Sequence, residues 1–130
     1  RVSLGRGYKL DRQDVVATVT QLEEWLQMDH QKRLDLHERR FQVVQEALGG
    51  IPHVRTEQGF YDRYCSMEMS VILDEAALGK TAVQVKQELI AGDPAIFVYA
   101  EENKLLLAAD SMLDGDEHIL AWRLRDLLQG

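Results

Sequence analysis

Residues 63–73 read Arg-Tyr-Cys-Ser-Met-Glu-Met-Ser-Val-Ile-Leu, and they carry a clear secondary-structure signal. From Cys65 onward every second side chain is apolar, and the side chains between them are mostly polar. This alternation is typical of a β-strand that buries one face, as strands of antiparallel sheets do. The pattern predicts a half-buried strand, with Cys65 as a small buried side chain on its apolar face.

A long helix is predicted before this strand. Asp11 and Asp14 place acceptors and negative charge at its start, and Gly49-Gly50 with Pro52 end it. An apolar stripe recurs about every 3.7 residues, close to the helical period. The full length would be roughly 57 Å, which leaves open a kink or break near Asp29-His30. The stripe consists of Val15, Val19, Leu22, Leu26, His30, Leu34, His37, Phe41, Val44 and Leu48.

Three more strands are predicted around residues 63–73. A short one covers His53 to Glu57, between the long helix and the alternating stretch. Two β-rich runs, Ala95 to Tyr99 and Lys104 to Ala108, are separated by Ala100-Glu101-Glu102-Asn103 and indicate a hairpin.

Two further helices complete the pattern. Thr81 with Gln84 forms a capping box that opens a short helix, which Gly92-Asp93-Pro94 closes. Asp114 with Glu117 opens the last helix. The predicted order is α-β-β-α-β-β-α: an α+β fold with a long leading helix and a small, mostly antiparallel sheet packed with helices.

Composition narrows the class of protein. The 130 residues suit one domain, with 45% apolar residues and a formal net charge of -7. The acidic balance disfavours nucleic acid as the main ligand, and no apolar run approaches the ~18 residues of a membrane span. A single cysteine cannot form an internal disulfide, so we expect a cytoplasmic protein.

Most clusters of chemically active side chains have a structural interpretation. His30 and His37 are seven residues apart, about 10.5 Å along a helix, which is too far to share a metal ion. We therefore predict no metal site. The acidic groups Glu101-Glu102 and Asp114, Asp116, Glu117 suit a hairpin tip and a helix start. Met67, Met69 and Met112 are expected in the core.

The segment Gly5-Arg6-Gly7-Tyr8-Lys9-Leu10 contains a different kind of candidate. Two cations three residues apart can converge on one anionic group, and the flanking glycines allow the backbone to approach it closely. Composition alone also fits a solvated loop. Arg6 and Lys9 are therefore candidate anion-binding residues.

A succession of short segments resembles one protein family along the whole chain. These segments are 5–10 before the long helix, Leu78-Gly79-Lys80-Thr81, Gly92-Asp93-Pro94-Ala95-Ile96, Leu105-Leu106-Leu107 and Asp114-Gly115-Asp116-Glu117. In this order they resemble the C-terminal small domain of fold-type I pyridoxal-phosphate-dependent enzymes. The resemblance is to the selenocysteine synthase-like group, which includes D-glucosaminate-6-phosphate ammonia-lyase-like proteins.

This resemblance implies that residues 1–130 are one C-terminal domain of a larger two-domain enzyme, with residues 1–10 as the interdomain segment. The large domain of the same polypeptide would hold most of the pyridoxal phosphate and the lysine that binds it. The small domain would close over the active site of a lyase or transferase, in a homo-oligomer acting on a small amino substrate. Arg6 and Lys9 match an Arg-x-x-Arg-like position facing the substrate, and Lys104 falls near a carboxylate-binding arginine of aminotransferases.

Under this interpretation the chain itself contributes no catalytic residue and is inactive alone. Two other interpretations remain open. The chain could be a free-standing ligand-binding or regulatory module, since a ββαββα arrangement behind a helix resembles small-molecule sensor domains. It could also be an oligomerisation module whose helical stripe pairs between chains.

Overall fold

The computed structural model describes residues 11–61 and 65–129, and the chain divides into two compact units, 1–31 and 32–130. In the first unit, α1 (Arg12–Gln27) has no buried residue. The helix ends where Met28 adopts an extended conformation with ψ 139°, and α2 (His30–Leu48) begins two residues later. The predicted long helix is therefore two helices, and the break lies near Asp29-His30 as the length argument suggested.

The apolar stripe continues along α2 and becomes buried in its second half. Phe41, Val44 and Leu48 all lie in the core of the second unit. His37 and Arg40 are buried on the same helix. The α2 stripe thus supplies one wall of the core.

Four antiparallel strands form one sheet in the order β1-β2-β4-β3. The strands are β1 (Val54–Tyr61), β2 (Ser66–Leu73), β3 (Tyr99–Glu101) and β4 (Lys104–Ala108). The predicted α+β class with an antiparallel sheet is confirmed. β1 is longer than predicted, because it pairs with β2 along its whole length from Val54↔Leu73 to Tyr61↔Ser66.

Two sequence predictions about the strands are wrong in detail. Cys65 is exposed rather than buried, because it precedes β2 in a turn and has a left-handed φ of 47°. Residues 95–98 do not join β3: the amide of Ile96 donates to the carbonyl oxygen of Leu89 at 3.0 Å, which ties this segment to the end of a helix instead of to β4.

Capping residues mark where α3 and α4 begin. Asp74 caps the short α3 (Glu75–Leu78), which was not predicted, by accepting from the amide of Ala77. Thr81 and Gln84 form the predicted capping box of α4 (Ala82–Ile90). After a 3-10 turn at Ala109–Ser111, α5 (Asp116–Gln129) begins two residues later than predicted.

The core lies between one face of the sheet and the helices. Alternate residues Met69, Val71 and Leu73 of β2 are fully buried, which confirms the predicted apolar face. Met67 and Met112 pack partly buried against this core, so the methionines are core residues as predicted. Other large members are Val85, Leu89, Leu105, Leu107 and Leu124.

Candidate functional site

Of the three predicted anion-binding residues, the described structure contains one. Arg6 and Lys9 lie outside the described residues, so they stay predictions. Lys104 is the first residue of β4 and is partly buried.

Lys104 belongs to a row of four residues that crosses the sheet. In register, Arg55 on β1 faces Ile72 on β2, Ile72 faces Lys104, and Lys104 faces Glu101 on β3. Because paired residues project from the same side of a sheet, all four side chains share one face. The core residues Val71, Leu73 and Leu105 alternate with them, so this row lies on the face opposite the core, which we call the outer face.

The row combines two cations with an apolar centre. Ile72 is only 8% exposed, although it lies on the outer face. Arg55 and Lys104 flank it from the two neighbouring strands. Their backbones are about 10 Å apart, because this is twice the spacing between adjacent strands. Neither cation makes a hydrogen bond or ion pair with any residue in the ranges 11–61 and 65–129.

This arrangement can bind an anionic group. A guanidinium can form two parallel hydrogen bonds to a carboxylate or phosphate, and an ammonium adds a compact point charge. Glu101 lies opposite Lys104 and weakens the positive potential there. Sequence reasoning missed Arg55, because only the strand register reveals that it shares a row with Lys104.

A polar pocket of about 640 Å³ adjoins the row at the end of the sheet. His53 lies at its edge with a left-handed φ of 66°, and its Nδ1 is 3.6 Å from a carboxylate oxygen of Asp74. The side-chain amide of Asn103 donates to the carbonyl oxygen of Leu73 at 3.0 Å, which fixes the β3–β4 turn against β2. A strained residue beside a pocket is a common feature of binding sites, and Arg55 lines this pocket.

A second cavity, of about 510 Å³, opens where residues 94–98 separate from β4. Its walls are mainly apolar and include Ile96, Leu107, Met112 and Leu120. Phe97 and Tyr99 at its border are each more than 60% exposed. The volume is in the range of small-molecule pockets, but the cavity contains few polar groups that could orient a ligand.

Arg40 is a buried cation that holds the fold together. It donates to the carbonyl oxygen of Ala109 at 3.2 Å and to the carboxylate of Asp114 at 2.8 Å. Its side chain is 8% exposed, whereas that of Asp114 is 97% exposed. The guanidinium thus connects α2 to the segment between β4 and α5.

His37, one turn before Arg40, is 3% exposed, and its Nδ1 has no hydrogen-bond partner in the described structure. Burial lowers the pKa of His37 below its ordinary value, the nearby charges of Arg33 and Arg40 lower it further, and the carboxylate of Asp110 opposes the shift. The ring is therefore favoured in its neutral form, as a buried structural side chain. The predicted structural role of His37 is consistent with this burial.

Part of the prediction for the acidic clusters is confirmed, but Glu101 ends β3 instead of lying at the hairpin tip, and Asp114 pairs with Arg40. Asp116 accepts from the amide of Leu113 at 2.8 Å, and Glu117 accepts from the amide of Gly115 at 3.1 Å. Glu102 occupies the β3–β4 turn with a left-handed φ of 51°. The carboxylates of Asp116 and Glu117 thus stabilise the start of α5.

The lysines of the described structure do not fit a covalent site for pyridoxal phosphate. A lysine that reacts efficiently with the cofactor's aldehyde is buried, so that its amine loses its proton easily. Lys80 is instead paired with Glu88 at 3.0 Å, and Lys86 lies over the ring of Phe97. Lys32 and Lys104 are also not among the buried residues.

Within residues 11–61 and 65–129, every helix is too short or too polar to cross a lipid bilayer. No model of a known protein family matches the chain, and no curated protein matches it. Among solved structures, the chain is similar to D-glucosaminate-6-phosphate ammonia-lyase, with a TM-score of 0.67 and 20% sequence identity. The similarity covers 95% of this chain and 34% of the ammonia-lyase chain. The chain therefore has the α+β fold of about one third of that protein.

Proposed function

We propose that this chain is the small domain of a pyridoxal-phosphate-dependent lyase or transferase that acts on an amino acid or an amino sugar acid. The observation that carries the proposal is the fold similarity to one third of an ammonia-lyase, which includes nearly all of this chain. The ordered family resemblance of the sequence supports the same conclusion. Pyridoxal phosphate would be held mainly by a large domain, since the lysines described here do not fit its covalent site.

The role of this domain is to bind and orient the substrate. Pyridoxal phosphate, when bound, supplies the electron sink for the reaction. Arg6 and Lys9 would contact the anionic group of the substrate or cofactor from the segment before α1. Independently of that segment, Lys104 and Arg55 would present positive charge on the outer face of the sheet. Closure of the domain over the site would exclude water and strengthen these charge interactions.

The first experiment tests for the cofactor in the full-length protein. We expect the purified protein to show the absorbance of bound pyridoxal phosphate. Borohydride reduction followed by peptide mapping should place the label on one lysine outside these 130 residues. A full-length protein that binds no cofactor would overturn the proposal and favour a free-standing ligand-binding or regulatory module.

The second experiment tests the cations by steady-state kinetics. Removal of a charge-assisted contact to a desolvated anion costs about 2 to 5 kcal/mol, so Arg6→Ala should lower kcat/KM by roughly tenfold or more. Lys9→Ala and Lys104→Ala should cost less, because an ammonium binds without the bidentate geometry of arginine. Lys86→Ala, which removes a partly exposed charge over the ring of Phe97, is the matched control and should leave the kinetics unchanged. If Arg6→Ala had normal kinetics and normal cofactor loading, Arg6 would not bind the anionic group, and the segment would be a solvated loop.

A further inference from the structure

The polar pocket at the end of the sheet, which we call the end pocket, is lined by residues of both charges. Arg55 is its cation, and Asp74 and Glu75 carry its carboxylates. Arg55 forms an ion pair with neither of them and has no partner within the ranges 11–61 and 65–129. Opposite charges therefore border the same space without neutralising each other.

The two carboxylates are held in place by the starts of two helices. Asp74 accepts from the amide of Ala77 at 3.3 Å, and Glu75 accepts from the amide of Ala82 at 2.8 Å. Each contact uses one oxygen of the carboxylate. The second oxygen of Asp74 is 3.6 Å from Nδ1 of His53, which is longer than a hydrogen bond. Both carboxylates can therefore accept from a ligand without giving up their contacts with the helices.

The register of the sheet sets the distance between the positive and the negative side of the end pocket. Arg55 on β1 faces Ile72 on β2. Two residues beyond Ile72, the amide of Asp74 donates to the carbonyl oxygen of His53 at 2.9 Å. Arg55 and Asp74 are thus diagonal neighbours, whose side chains start about 7 to 8 Å apart. An α-amino acid carries both of its charges on one carbon atom and can reach both side chains across this interval.

We propose that the end pocket binds a free α-amino acid in its zwitterionic form. The guanidinium of Arg55 donates to the carboxylate of the ligand, and Asp74 accepts from its ammonium group, with Glu75 adding negative charge. An anion without an ammonium group would meet two carboxylates, and a cation without a carboxylate would meet Arg55. The volume of about 640 Å³ is typical of small-molecule pockets and leaves room for a side chain.

This site differs from the substrate site of the proposed function. An amine reacts with an aldehyde, such as that of pyridoxal phosphate, only after it has lost its proton, whereas a carboxylate partner favours the protonated ammonium. The amino acid in the end pocket is therefore a non-covalent ligand and not the reacting substrate. Every residue of the pocket belongs to this chain, so the proposal does not rest on the proposed function and is tested without the cofactor.

Isothermal titration calorimetry of the 130-residue chain tests the requirement for both charges. The ligands are L-alanine, N-acetyl-L-alanine, which lacks the ammonium group, and L-alaninamide, which lacks the carboxylate. We expect saturable binding of L-alanine below about 10 mM, and binding of each analogue weaker by roughly tenfold or more. The proposal is overturned if L-alanine does not bind saturably, or if an analogue binds as tightly as L-alanine.

Two conservative substitutions test the residues of the site. Arg55→Gln removes the cation, and Asp74→Asn removes a negative charge but keeps an oxygen that can accept from the amide of Ala77. Each should weaken the binding of L-alanine by roughly tenfold or more. Arg125→Gln and Asp126→Asn remove the same charges from exposed positions of α5 and are the matched controls. Unchanged binding in either pocket variant, or an equal loss in the controls, would refute the assignment.

Nuclear magnetic resonance locates the ligand without any substitution. When L-alanine is added to the unmodified chain, the amide signals of His53, Arg55, Asp74 and Asn103 should shift together and saturate at the concentration found by calorimetry. Shifts confined to other parts of the chain would show that the amino acid binds elsewhere and would overturn the proposal.

Discussion

Replacing Arg40 with alanine should destabilise the second unit by about 3 kcal/mol. The loss has two main parts. The buried carbonyl oxygen of Ala109 loses a charged donor at 3.2 Å, which costs about 1 to 3 kcal/mol. Two buried methylene groups of the arginine stem are removed, which costs about 1.5 kcal/mol. The ion pair with Asp114 adds little, because that carboxylate is 97% exposed.

Urea denaturation followed by circular dichroism measures this loss. With a slope of about 1.5 kcal/mol per molar urea, the midpoint of Arg40→Ala should fall by roughly 2 M. Arg40→Met keeps the apolar stem and should lose less. Arg39→Ala is the matched control, because Arg39 is exposed and, among the described residues, donates only to the carbonyl oxygen of Asp35 in its own helix.

Two results would refute this reasoning. If Arg40→Ala shifted the midpoint no more than Arg39→Ala, the buried guanidinium would not connect α2 to the segment before α5. If Asp114→Asn were as damaging as Arg40→Ala, the exposed ion pair would carry the energy and the contact with Ala109 would not.

Three further predictions use single substitutions or labelling. Because the pKa of His37 is lowered, the stability that its neutral ring contributes should be fully present above pH 6.5 and fall as the pH drops below it. His37→Leu should flatten this part of the pH dependence in urea titrations. Thr81→Ala removes the capping box of α4 and should cost about 1 kcal/mol in thermal unfolding. Borohydride treatment of the 130-residue chain with pyridoxal phosphate should label lysines only in a scattered way; one stoichiometric product would contradict the absence of a buried lysine in the described ranges.

The sequence predicted those features that depend on neighbours along the chain. The capping box at Thr81 and the alternation along β2 are local patterns, and the structure contains them. The start of β3 was predicted four residues too early. The composition of residues 95–98 favours a strand, but a hydrogen bond from Ile96 to Leu89 decides their conformation.

The functional surfaces depend on contacts between distant parts of the chain, which periodicity does not record. Arg40 was not among the residues of the predicted apolar stripe, yet it is buried by a segment about 70 residues later. Arg55 and Lys104 are 49 positions apart in the sequence and meet in one row only because both β1 and β4 pair with β2. Helical or strand periodicity locates each residue on a face but does not show which distant residue lies beside it.

The cationic side chains of the described structure differ in whether they have a partner in the chain. Those that have one connect parts of the fold, and those without one can still interact with a ligand. Arg40 and Lys80 are held by carboxylates and carbonyl oxygens of the same chain. Arg55 and Lys104, within the described ranges, have no such partner, although the chain carries a net charge of -7 and Glu101 faces Lys104. An unpaired cation beside an apolar, buried Ile72 gains more from an incoming anion than a paired one does, because no existing interaction has to be broken. The outer face therefore presents two cations, Arg55 and Lys104, that no residue of the described ranges pairs.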